Sequence, residues 1–125
     1  MKVGLYTHPA CSRHEMGAGH PEQPARIPAI TDALVRAGVD EWLVHREAPA
    51  AVREQLVRAH AATYVDALFN HAPRSGMVPI DGDTIMNPHT LDAALHAAGA
   101  GAAAVDAVIA GELDAAFCCV RPPGH

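Results

Sequence analysis

The side chains able to do chemistry gather in a few short stretches of the 125-residue chain. Arg121-Pro122-Pro123-Gly124-His125 follows an apolar run directly. Its prolines fix the backbone, and Gly124 permits close approach of a ligand or another chain segment. Imidazole can serve as acid, base or ligand near neutral pH, so His125 on this turn is a candidate site; the alternative is a terminal side chain with no role. Asp81 and Asp83 share a Gly-containing loop, where they could accept hydrogen bonds or simply form a solvated turn. Cys11, His14 and His20 form Cys-x-x-His-x-x-x-x-x-His, zinc-type ligands on one segment with no evident fourth member; the alternative is a set of loop residues. The remaining cysteines, Cys118 and Cys119, are adjacent. An odd number of cysteines makes a poor disulfide framework, and this pair reads as small buried apolar residues.

The elements that must position these groups alternate between strand and helix. Val3 to Thr7 reads as a strand leading into a long loop, Pro9 to Pro24. A helix follows with Ile27, Ile30 and Leu34 on one face, closed by Gly38; Pro28 leaves its start open. Trp42-Leu43-Val44 suits a second strand. Val52 to His60 and Ala61 to Asn70 suit short helices with Leu56, Val57, Tyr64, Val65 and Leu68 inward. Ala72 to Asn87, with glycines at 76 and 82 and prolines at 73 and 79, reads as a surface loop. Asn87-Pro88 then supplies an N-cap and a first-turn proline. Leu91, Leu95, Ala98, Ala102, Val105 and Ile109 make one apolar stripe ending at Gly111. Gly99 and Gly101 each cost about 1 kcal/mol relative to Ala inside a helix, which makes sense if a neighbour lies very close. Ala115 to Val120 is an unbroken apolar run, the pattern of a strand covered on both faces. This order favours an open α/β architecture, and the Arg-Pro-Pro-Gly-His turn falls at the strand's carboxyl end, where such sheets bind ligands.

Composition narrows the partners. A net charge of −5 and a pI near 5.9 argue against a phosphate-binding, nucleic-acid face. No signal-peptide core is visible, and no run reads as apolar enough to span a bilayer, so a cytoplasmic, non-membrane protein is expected. No Gly-rich phosphate loop opens a helix, because Gly99-Ala100-Gly101 lies inside one. Half the residues are hydrophobic but only 4% are aromatic. The core should be real and of modest stability.

Several motifs carry a resemblance. Gly19-His20-Pro21-Glu22-Gln23-Pro24-Ala25-Arg26-Ile27, His60-x-x-x-Tyr64-Val65, Asp81-Gly82-Asp83-Thr84 and Gly111-Glu112 running into Arg121 to His125 occur in that order. Together they resemble the zinc-dependent histone deacetylases and their bacterial relatives, the acetoin-utilisation proteins and acetylpolyamine amidohydrolases, with a class II-like character. The resemblance implies a three-layer α/β/α fold with a mainly parallel sheet, of which residues 1–125 form the N-terminal part of a single domain. It implies amide hydrolysis of acetyl-lysine or an acetylated polyamine-like amine by a zinc-bound water. His125 matches the first His of the family's His-His pair, a catalytic residue. Asp83 matches the rim carboxylate that accepts hydrogen bonds from substrate backbone, with Asp81 the lesser candidate. His20 and Pro21 would border the pocket, and Arg26 would be a buried structural arginine below it. Pro123 and Gly124 would shape its wall.

The family's zinc ligands, an Asp-x-His pair and a further Asp after the His-His turn, have no counterpart here. Nor do the second His and the oxyanion-holding Tyr. The expectation is therefore that zinc belongs to the full-length family, while this chain alone binds no catalytic metal and hydrolyses no amide. The alternative is a truncated, non-catalytic relative acting through interaction, with homo-oligomerisation favoured by an unpaired strand edge.

Overall fold

The computed structural model describes residues 1–124. Three parallel strands form its sheet: β1 (Val3–Thr7) in the centre, β2 (Leu43–Glu47) on one side and β5 (Ala115–Cys118) on the other. Val3 is level with Leu43 and with Ala115. Pairing runs past the strand ends through Ala48 N–H to Thr7 O, 2.8 Å, and Cys119 N–H to Tyr6 O, 2.9 Å. The central position explains why Gly4, Leu5 and Tyr6 are all buried.

Between β2 and β5 run α2 (Arg53–Leu56), α3 (Ala62–His71), a small antiparallel hairpin β3 (Val78–Pro79) and β4 (Ile85–Met86), and the long helix α4 (Thr90–Ile109). Helix α1 (Arg26–Arg36) lies between β1 and β2 in sequence. It ends as expected: Gly38 adopts φ +66°, and Val39 N–H reaches back to Leu34 O at 3.0 Å. Pro28 lies in the first turn, where the missing N–H has no intrahelical partner to lose.

Helix α4 corrects the sequence reading most. It begins at Thr90, not at Asn87-Pro88, and its buried positions are Thr90, Ala93, Gly99, Ala100, Ala104 and Ala107. The expected stripe is covered only in part: Leu91, Leu95 and Ala102 are half-buried, but Ala98 is exposed, Val105 is 57% and Ile109 80% exposed. Small residues win the sheet-facing side because they let the helix axis come close. Tyr6, Ala48, Leu113 and the alanines of α4 make the core, and the Tyr6 hydroxyl donates to Ala103 O at 3.3 Å. Gly99 has the close neighbour its cost demands, since a Cβ there would overlap the Pro49 carbonyl and the Ala51 nitrogen. Gly101 has none; nothing lies within 4 Å of its Cβ position. By length and composition α4 could also cross a bilayer, contrary to the expectation that no segment could; here its alanine face packs on β1 and β5.

Three further expectations change. The segment 72–87 contains the β3–β4 hairpin and is not wholly loop. Strand β5 ends at Cys118 and is not covered on both faces, because Phe117 is 47% exposed. Tyr64 is half-exposed, leaving Val65 as the buried residue of α3.

Candidate functional site

The long loop after β1 is tied down by a fully buried guanidinium. Arg121, just beyond β5, has no exposed surface and donates from Nε and Nη2 to Glu22 Oε1 and Oε2, at 2.8 and 2.7 Å. Its Nη1 donates to the carbonyls of Cys11 and His14. Such a fork saturates a planar carboxylate and anchors two backbone oxygens together. Burial alone would raise the Glu22 pKa, but hydrogen bonds from Arg121 and Arg26 outweigh it and hold the carboxyl below its ordinary value.

His14 lies beside this pair, 1% exposed. Its Nδ1 is 2.8 Å from Thr90 Oγ1. The Thr90 hydroxyl donates to Asn87 Oδ1 and accepts from Asn87 N–H, so it takes the His14 Nδ1 proton as well. Asn87 Nδ2 in turn donates to Arg13 O at 2.9 Å, fastening the loop to the start of α4. His14 Nε2 is buried with no hydrogen-bond partner, 3.5 Å from Glu22 Oε2. Burial, then the charge of Arg121, lower its pKa and keep the ring neutral.

Loop, hairpin, α4 and the Pro122-Pro123 turn together enclose a cavity of about 480 Å³. Among the residues singled out from sequence, it brings His20, Pro21, Arg26, Asp83 and Pro123 to one wall system. At its mouth His20 Nε2 and Asp83 Oδ1 are 3.0 Å apart. Asp81 is part of the same turn, its Oδ1 accepting the Asp83 N–H at 2.8 Å, which lowers its pKa. Gly124 lines a neighbouring apolar cavity of about 350 Å³, together with Tyr64, Leu68 and Leu95. His125 lies outside the described residues.

Arg26 is not the buried arginine. Its side chain is 43% exposed at the first turn of α1 and donates to Glu22 Oε1 at 2.9 Å; the buried arginine is Arg121. Cys11, His14 and His20 form no metal site: among the described residues no group of three or more His, Cys, Asp or Glu could hold an ion. Cys11 is buried, which raises its thiol pKa, and all three cysteines are free. Sequence reasoning missed Thr90; it read His14 as a candidate metal ligand, Asn87 as a helix cap, and Glu22 and Arg121 only as parts of motifs. The available signal was a charged residue following an apolar strand; its partner, 99 positions away, was not readable.

The histone deacetylase domain family matches residues 20–125. The chain belongs to that family. This deacetylase-family chain is 37% identical over its whole length to a histone deacetylase-like amidohydrolase of Pseudomonas aeruginosa, of which it covers 31%. It is 34% identical to a probable deacetylase of Archaeoglobus fulgidus, covering all of this chain and 35% of that one. The crystal structure of the HDA15 HD domain superposes with a TM-score of 0.89 at 29% identity, over 99% of this chain and 36% of that one. The family chain thus spans about a third of the length of these relatives, and its parallel sheet and helices are part of the α/β deacetylase fold.

Proposed function

We propose that the chain forms the N-terminal part of a single zinc-dependent deacetylase domain and supplies the substrate-facing rim of its pocket. The substrate class is acetyl-lysine or an acetylated polyamine-like amine, met in the cytoplasm. One observation carries the reading: the cavity mouth gathers His20, Pro21 and Asp83 from segments more than 60 positions apart in sequence. Asp83 is the acceptor for substrate N–H, Pro21 and Pro123 are apolar walls, and Gly124 leaves room beside the turn that leads to His125. His125 is assigned the catalytic part that orients the attacking water.

The described residues do not fit a zinc ion, since no sufficient donor group assembles. The chain by itself is expected to be inactive. The test is a zinc-supplemented assay on an acetyl-lysine peptide and on N-acetylputrescine. No product is expected from the 125-residue chain; chelator-sensitive hydrolysis would overturn the inactivity. A non-catalytic, self-associating role is the second reading, favoured by the exposed Phe117 on a strand whose outer edge has no partner among the described residues.

A further inference from the structure

The Asp83 side chain is 89% exposed, and an unrestrained exposed carboxylate hops between rotamers within nanoseconds. His20 opposes that freedom. Its Nδ1 accepts the Glu22 backbone N–H at 3.0 Å, so the ring proton resides on Nε2. That proton points at Asp83 Oδ1, 3.0 Å away. The backbone beneath is fixed too: Asp83 N–H donates to Asp81 Oδ1, and Ile80 N–H to Thr84 O at 2.8 Å. With its ring only 17% exposed, His20 offers little surface of its own to a ligand.

We propose that His20 is a positioning residue: its Nε2–H tautomer, set by the Glu22 amide, holds Asp83 by Oδ1 and leaves Oδ2 free for a substrate N–H at the cavity mouth. This rests on the rim reading above. A merely structural strut between loop and hairpin would need only the Glu22 amide bond or general packing. Two substitutions separate these roles. His20→Asn keeps an acceptor where Nδ1 is but cannot reach Asp83. His20→Gln places a donor where Nε2 is.

The experiment is NMR on the labelled full chain, reading the Asp83 χ1 couplings, followed by titration with Nα-acetyl-Nε-acetyl-lysine methylamide. Wild type and His20→Gln should show one Asp83 rotamer, with probe-induced shifts at the amides of residues 81–84. His20→Asn should show averaged rotamers, an otherwise unchanged amide spectrum, and binding weakened by about two- to fivefold, as befits an exposed charged hydrogen bond. A single Asp83 rotamer in His20→Asn overturns the proposal. Averaging in His20→Asn with no probe binding by wild type supports the positioning of Asp83 and overturns the substrate reading of the rim.

Discussion

Replacing Glu22 by Gln removes a charge and turns one of its two acceptor oxygens into a donor facing the Arg121 guanidinium, and it should be among the most damaging single changes in the loop. Arg121 has no exposed surface and Glu22 is 12% exposed, so the guanidinium has no water to turn to when its counter-charge goes. Losing one partner of a buried, hydrogen-bonded ion pair costs about 3–5 kcal/mol. Arg26 does not lessen that loss, because it adds a second cation beside the first. Small domains are stable by about 5–15 kcal/mol, and a core built from Ala100, Ala104 and Ala107 places this one toward the lower end. Glu22→Gln should therefore remove about half the stability. Urea unfolding followed by far-UV circular dichroism gives the difference directly, provided the slope is unchanged.

The pH dependence adds a second readout of the same pair. The folded Glu22 carboxyl is held below 4.5, so its stabilisation is complete above that value and is lost as pH falls through the folded value. Wild type should show this acid limb and Glu22→Gln should lack it. Arg53→Gln, which breaks the exposed pair with Asp66, is the control expected to leave the unfolding midpoint unmoved. A loss below about 1 kcal/mol in Glu22→Gln would refute the view that the buried fork anchors the loop.

Gly101→Ala should stabilise the chain by up to about 1 kcal/mol, the helix-propensity gain, whereas Gly99→Ala should destabilise it despite the same gain, because its Cβ meets the Pro49–Ala51 backbone; thermal melts of the two variants give opposite signs if the packing is right. His14 is buried neutral with its pKa lowered, so stability should begin to fall as pH drops below 6.5, the unfolded value, and His14→Gln should flatten that limb. Sedimentation at increasing concentration should show self-association through the β5 side, and Phe117→Lys should reduce it; a concentration-independent monomer would count against the second functional reading.

What the sequence made legible divides along a physical line. Val3 to Thr7 was read to the residue, because a short apolar strand bounded by a loop is a local signal. Gly38 was legible for the same reason: a left-handed residue just past a helix end is demanded locally. The faces of α4 were not legible. A helix apolar nearly all round carries no periodic contrast, so the larger residues drew the stripe while close approach to the sheet selected the alanines. Phe117 was misread because an apolar run does not say how many of its faces are covered. The rim residues His20, Pro21 and Asp83 were named through motifs, yet the hydrogen bond joining His20 to Asp83 is a tertiary fact. Arg121, not Arg26, is the buried arginine because burial of an arginine depends on its partner's geometry, and Glu22 faces Arg121 with both oxygens.

Glu22 serves two neighbours by different atoms, and this makes the site separable. Its carboxylate holds Arg121, while its backbone N–H sets the tautomer of His20. Substituting the side chain cannot remove the backbone donor. Glu22→Gln should therefore loosen the anchored interior of the loop yet leave the His20–Asp83 contact intact as long as the chain stays folded, whereas His20→Asn should free Asp83 without touching the buried pair. If instead Glu22→Gln averages the Asp83 rotamers well below the unfolding midpoint, the loop moves as one body, and rim and interior are a single cooperative unit.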